Sequence, residues 1–242
     1  RNLPTMSQSS MHIPFRSTHV FSTLINDYLE GKGKALDFVQ YAPNVDGYKA
    51  AIEGRKKHPI NRALLFDVLT KQYSNLTQEK AVNDQIALLK KDSTFVVTTA
   101  HQPNLFTGPL YFFYKIIHAI QLAASLKSTF PEYDFVPVYY MGSEDADLDE
   151  VGAFNLDHKK CQWVTKQTGA IGRMQVDDAL LLLLKQLESY WSILPQGQKA
   201  LEILKEAYQK GKTISEATLS FVHAFFGSKG LLVLQPDDAT LK

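Results

Sequence analysis

Apolar residues recur at helical spacing near the start of the chain. In THVFSTLINDYLE (18–30), Phe21, Leu24, Ile25, Tyr28 and Leu29 share one face, and Gly31 and Gly33 follow. That spacing predicts a helix closed by glycine. Weaker patterns of the same kind predict helices near 34–41, 45–54, 59–74 and 77–91. TFVVTTA (94–100) is β-branched and aromatic and predicts a buried strand. Gly108-Pro109 and LYFFYKIIHAIQLAASLK then predict a long helix, with Gly or Thr as cap and proline in the first turn. FVPVYYMGS (135–143) is a second buried-strand pattern. Strand, helix and strand in that order form a βαβ unit, so a parallel α/β sheet is expected. CQWVT (161–165) predicts a short strand, 177–192, 198–210 and 214–227 predict helices, and LLVLQ (231–235) predicts a last strand.

Composition narrows the class. The 242 residues are 45% hydrophobic and 21% charged, enough for one large domain or two small ones. The formal net charge is +1, which gives no electrostatic footprint for nucleic acid or a membrane surface. The helix after Pro109 is interrupted by Lys115, His118 and Gln121 and is too short and polar for a membrane span. The first residues lack a secretory core, and the lone Cys161 excludes an intrachain disulfide and a Cys-rich zinc site, so a cytoplasmic setting is expected. No internal repeat, Walker loop, GxGxxG, HExxH or GxSxG is present.

Two stretches carry candidate chemistry, HQPNLFTGPLYFFYK (101–115) and SEDADLDE (143–150). Both follow a predicted strand, and open α/β sheets bind ligands beyond the carboxyl ends of their strands. In the first, His101 and Gln102 can donate to phosphate oxygens near a helix start. Gly108, Tyr111, Lys115 and His118 share roughly one helical face. The alternatives are a histidine that only caps the helix, aromatic residues that only fill the core and a lysine in solvent. In the second, Glu144 and Asp145 lie nearest the strand end. They can hold a magnesium ion, a ribose hydroxyl or a substrate amine, whereas Asp149 and Glu150 suit a helix dipole.

The pair VVTTAHQPNLFTGPLYFFYKI (96–116) and FVPVYYMGSEDADLDEV (135–151) resembles the bacillithiol biosynthesis cysteine-adding enzymes, the BshC cysteine ligase family. DYLEG (27–31), NRALL (61–65), CQW (161–163) and TGAIGRM (168–174) extend the resemblance in order along the chain. It implies a Rossmann-like core similar to class I aminoacyl-tRNA synthetases and nucleotidylyltransferases, in a protein about twice this length, with a helical coiled-coil arm that mediates homodimers. It implies a ligase that joins the carboxyl group of cysteine to the amine of glucosaminyl-malate, with ATP as the activating group. On that resemblance the catalytic residues are His101, Gln102, Glu144, Asp145 and Asp147. ATP lies along His101, Asn104, Thr107, Gly108, Tyr111 and Lys115, and magnesium is a possible companion. The implied organisation is a flexible start (1–11), a first part of the core with its helical N-terminal region (12–160), a connecting helical insertion (161–230) and a returning core strand (231–242). The rest of the protein is expected to lie outside the chain, which alone is expected to be inactive.

Two positions depart from the family pattern. Ala100 stands where the family loop has glycine, and Ala146 where its acidic motif has histidine. They leave two other functions open: another ATP-dependent aminoacyl or nucleotidyl transferase, and a homologue that binds nucleotide or sugar without catalysis.

Overall fold

The computed structural model describes residues 11–77, 79–106, 108–144 and 147–242. The chain divides into two compact units, one ending at Ile60 and one running from Asn61 to Lys242.

The first unit holds α1 (Thr23–Glu30) and α2 (Val45–Lys56), with 3-10 turns at Phe15–Thr18 and Gly33–Phe38. The helix expected over 18–30 starts later because Ser22 is its N-cap and its side chain accepts from the Ile25 N–H. Gly31, at φ +65°, closes it. The helix expected over 34–41 is only the 3-10 turn, bounded by left-handed Gly33 and extended Val39. Arg16 reaches Asp27 at 2.7 Å and Glu30 at 2.9 Å, so DYLEG is pinned to the preceding turn. The apolar stripe of α1 remains exposed, Leu24 at 58%, and only Asn26 of this helix is buried.

The second unit contains α3 (Arg62–Gln72), α4 (Lys80–Leu88), β1 (Thr94–His101), α5 (Leu110–Thr129), β2 (Asp134–Met141), α6 (Leu148–Val151), β3 (Ala153–Leu156), β4 (Lys159–Gln162), α7 (Asp178–Trp191), α8 (Gly197–Ala207), α9 (Ile214–Phe226) and β5 (Leu232–Leu234). Short polar side chains set several boundaries. Asn61 accepts from the Leu64 N–H, Asp177 from the Leu180 N–H, and Thr213 with Glu216 forms a capping box.

β1, β2 and β5 form a parallel sheet in the order β1-β2-β5, as the strand-helix-strand pattern predicts. β2 is central and buried almost throughout. Pro137 is tolerated there because β5 joins only from Val138 onward, so its missing N–H breaks no bond to that strand. α5 lays Phe112, Ile116, Ala119 and Ala123 into the core. Burying Phe112 or Ile116 is worth about 2 kcal/mol each. Phe113 packs among Phe221, Phe225 and Phe226 of α9. The two middle residues of the Tyr-Phe-Phe-Tyr run are thus packing residues, and Tyr111 and Tyr114 are exposed.

The strand expected over 161–165 is displaced. Its place is taken by the hairpin β3–β4, whose two turn residues, Asp157 (φ 47°) and His158 (φ 62°), are both left-handed. That is the two-residue turn matching the strand twist. Trp163, just past it, is fully buried and donates its indole N–H to Asp177 at 2.8 Å. Among the described residues no helix is long and apolar enough to cross a membrane.

Candidate active site

β1 and β2 run side by side, with His101 opposite Met141, so the loops that follow them emerge together. The NRALL stretch helps to place β1. Its Arg62 donates to the carbonyls of Leu89 at 3.1 Å and Thr94 at 3.1 Å, bracketing the entry to the strand.

His101 ends β1 and is held on three sides. Its carbonyl accepts from the Tyr139 hydroxyl at 2.9 Å and from the Gly142 N–H at 3.0 Å. Its ring lies against Tyr111 and Phe112, with centroids 5.3 and 5.4 Å away. Nδ1 is 2.9 Å from the Gln102 carbonyl, an acceptor, so Nδ1 carries the proton. Nε2 is then the ring atom that can serve a ligand, accepting when the ring is neutral and donating when it is protonated. Burial raises the Tyr139 hydroxyl far above its ordinary range, with a smaller push from Tyr208, so it remains a donor.

The rest of the described loop, 102–106 and 108–109, is tightly folded. Gln102 donates from its side chain to Glu150 at 3.1 Å, joining the two loops directly. Asn104 has a buried amide oxygen with no partner among the described residues. Phe106 is buried at φ 57°, an unusual conformation for a bulky residue. It is held by the Tyr208 hydroxyl, which accepts its N–H at 2.9 Å, and by edge contacts to Phe154 and Tyr208 at 5.1 Å each. Burial pushes the Tyr208 hydroxyl up to about 12, with the N–H of Phe106 opposing the rise. Gly108 has φ +58°, and a Cβ there would lie 2.7 Å from the Asn104 Cβ, so only glycine fits.

Gly108 does not start the helix. The N-cap of α5 is Pro109, at ψ 149° and with no side-chain cap, so the Gly or Thr cap expected from sequence is replaced. Thr107 lies outside the described residues. Lys115 is exposed, and its Nζ donates to the Ala100 carbonyl at 2.6 Å, which brings the cation to the carboxyl end of β1. Tyr111 and Lys115 therefore join His101 at one place, from the face predicted by spacing.

The acidic stretch forms the second wall. Glu144 is exposed and accepts a long bond of 3.4 Å from the Tyr140 hydroxyl. Burial and then this carboxylate raise Tyr140 above its ordinary value. Asp147 is exposed at the N-cap position of the single-turn α6 and makes no side-chain cap. Asp145 and Ala146 lie outside the described residues. Glu150 and Asp149 lie in the first turn of α6, as expected of helix-dipole partners, and Glu150 also accepts the Gln102 bond. Among the described residues no three His, Cys, Asp or Glu side chains converge as a metal cage.

Several contributors escape the sequence reading. Ser143 is fully buried, its hydroxyl has no partner among the described residues, and its carbonyl accepts the Gly172 N–H at 3.2 Å. A Cβ on Gly172 would meet the Ser143 Cβ at 2.5 Å, so TGAIGRM is pressed onto the β2 loop. Next to it opens a cleft of about 240 Å³ at the end of β5, lined by Gln72, Arg173, Ser215, Gln235, Asp237 and Asp238 among others. Asp237 is held well below its ordinary range by Arg173 and then by Lys242. The signals available were the glycines and arginine of TGAIGRM and the QPDD run after the last strand.

Comparison with known proteins fits this arrangement. The family model of the bacillithiol biosynthesis BshC N-terminal Rossmann-like domain matches residues 9–242. A protein named "Putative cysteine ligase BshC" from Flavobacterium psychrophilum is 36% identical over 95% of this chain. Proteins of the same name from Christiangramia forsetii and Salinibacter ruber are 38% identical over 95% and 28% identical over 99% of it. The chain spans 44%, 44% and 45% of these three relatives, less than half of each. The parallel sheet, the two loops at its carboxyl edge and these matches together show that the chain belongs to the bacillithiol biosynthesis BshC family, as its N-terminal Rossmann-like domain.

Proposed function

We propose that this domain forms the activating half of an ATP-dependent cysteine ligase that joins cysteine to glucosaminyl-malate in the last step of bacillithiol biosynthesis. The observation that carries the reading is the meeting of the His101 and Glu144 loops at adjacent strand ends in a member of this family.

The chemistry explains the residue types. An amide bond cannot form from a free carboxylate and an amine without a leaving group. Attack of the cysteine carboxylate on a phosphorus of ATP supplies one, releasing pyrophosphate or ADP. Attack of the sugar amine on the activated carbonyl then expels the phosphate-bearing group, and the amine loses a proton. Charge builds on phosphoryl oxygens in the first step, and fixed donors nearby lower its barrier. Lys115 and a protonated His101 are such donors, with Gln102 beside them. The Asn104 amide oxygen, buried with no partner among the described residues, would serve a hydroxyl or amino group of the nucleotide once the loop exposes it. Tyr111 offers a ring face, and Thr107 and Gly108 complete the nucleotide contacts.

Glu144, Asp145 and Asp147 would bind the cationic amine of cysteine or of the sugar, and one of them would accept the proton released on attack. The same carboxylates would hold a magnesium ion, which would supply positive charge to offset that of the phosphates.

The test is full-length protein with ATP, cysteine and glucosaminyl-malate, with products read by mass. A product heavier than glucosaminyl-malate by one cysteinyl residue, dependent on ATP, is the expected outcome. Turnover of ATP with cysteine but a different acceptor would assign the fold to another transferase. No ATP turnover, with a sharp gain on Ala146→His, would make the protein a degenerate homologue.

A further inference from the structure

The cleft at the end of β5 leaves polar groups unused. One wall is the start of α9, where Thr213 and Glu216 cap each other. Ser215 lies between them and lines the cleft. It is only 8% exposed, and its hydroxyl has no partner among the described residues. Gly172 makes room for it, since a Cβ there would lie 2.5 Å from the Ser215 Oγ.

The other walls are also part-used. Gln72 takes the main chain of Gln235, accepting from its N–H at 3.1 Å and donating to its carbonyl at 2.9 Å. The Gln235 side-chain amide, both donor and acceptor, has no partner among the described residues. Arg173 forks onto Asp237 through Nε and Nη2, so its Nη1 donors stay available. Oδ1 of Asp237 serves both Nη2 and Lys242, whereas Oδ2 takes only Nε. The cleft therefore offers a hydroxyl, an amide, guanidinium donors and a carboxylate oxygen. A phosphate or free carboxylate would meet Asp237 and Asp238 there, with the Arg173 charge already offset. An apolar ligand would strand these groups unpaired. A sugar ring answers each of them, because every hydroxyl both donates and accepts. At about 240 Å³ the space suits one such ring rather than a nucleotide.

We infer that this cleft binds the hexosamine ring of the acceptor. The identity of the sugar rests on the ligase reading; the preference for a sugar does not. Tyr140 pairs with Leu234 at the end of β5, and its hydroxyl donates to Glu144. Gly172 holds the carbonyl of Ser143, the residue before Glu144. A ring in the cleft thus lies beside the Glu144 carboxylate, which is placed to take the proton of its amine. Neighbouring strands are about 4.8 Å apart, so the ends of β1 and β5 are about 10 Å from each other. A nucleotide over β1 and a sugar over β5 would flank the carboxylates over β2.

Titration of the full-length protein with methyl glucosaminide, followed by NMR, tests the cleft without ligation. Ser215→Ala deletes a hydroxyl that bonds nothing among the described residues, so Tm should hold while the dissociation constant rises about 5-fold. Asp237→Asn should raise it at least about 10-fold. In ligation the same variants should raise KM for glucosaminyl-malate by these factors and leave KM for ATP and for cysteine alone. No binding of the sugar, or binding that neither variant alters, would overturn the inference. A rise in KM for ATP or cysteine would do the same, by giving the cleft to that substrate. Variant-sensitive sugar binding without ligation of glucosaminyl-malate would keep the cleft and remove the ligase reading. Ligation with every KM unmoved in both variants would keep the ligase reading and remove this one.

Discussion

The Tyr208 hydroxyl is the sharpest test of how the HQPNLF loop is held. Tyr208→Phe removes one oxygen and keeps the ring that packs against Phe106. The Phe106 N–H, buried and bonded to that oxygen at 2.9 Å, then has no acceptor. A buried donor stripped of its partner costs about 1–3 kcal/mol. Phe106 at φ 57° already stores strain of roughly the same size, about 1–3 kcal/mol, because bulky residues disfavour that region. The loop can therefore escape the unpaired N–H by rotating Phe106 out, which limits the loss but moves the loop. The expected result is a loss of about 2 kcal/mol in urea unfolding. For a unit of this size that is a fall in Tm of about 4–8 °C. Tyr190→Phe, at an exposed site, is the control and should change nothing measurable. If Tyr208→Phe unfolds within about 0.5 kcal/mol of the parent, the bond does not hold the loop and the reasoning fails.

Three further outcomes are expected. Gly108→Ala places a Cβ 2.7 Å from the Asn104 Cβ at φ +58° and should cost about 1–2 kcal/mol and, if the proposed function holds, weaken ATP binding by calorimetry more than the stability loss alone explains. Lys115→Met, at an exposed position, should leave Tm nearly unchanged yet lower kcat/KM for the proposed ligation by the full-length protein by a factor on the order of 100; unchanged kinetics would remove Lys115 from the proposed phosphate site. Asp177 titrates below its ordinary value: burial raises it, but the Leu180 N–H, Thr165, Trp163 and Gln167 together lower it further. A depressed carboxylate stabilises the fold above its unfolded value, about pH 4, and that stability is lost as pH falls through the folded value. Asp177→Asn should therefore flatten the acid limb of a stability-against-pH curve; an unchanged limb would refute the assignment.

The sheet is legible because two β-branched and aromatic runs flank a twenty-residue helix; β2 is buried on both faces as its apolar run predicts, whereas β1, expected to be buried, exposes Val96, Thr98 and Ala100 on one face. The hairpin at Asp157-His158 is not, because both turn residues are left-handed without being glycine or asparagine, and its strands are four residues each. The α5 cap is misread for a related reason: Gly108 is glycine to let Asn104 approach, a tertiary constraint that a local rule takes for a cap. His101 and Lys115 can be found through spacing. The role of Glu150 cannot, because its partner, Gln102, lies 48 residues away and no periodicity links them.

The distribution of order around the cleft bears on mechanism. The main chain of the His101 loop is fixed from behind, by Tyr139, Tyr208 and the packing of Phe106 and Phe112. The groups that would meet substrate on the proposed function are not so committed: Nε2 of His101 and the exposed Glu144 and Asp147 carboxylates. Rigid backbone with free polar ends is the arrangement that lets donors stabilise developing charge without reorganising. Lys115 also has donors to spare, because its ammonium carries three N–H groups and the Ala100 carbonyl takes one, so a phosphate can be met while that bond keeps the cation at the end of β1.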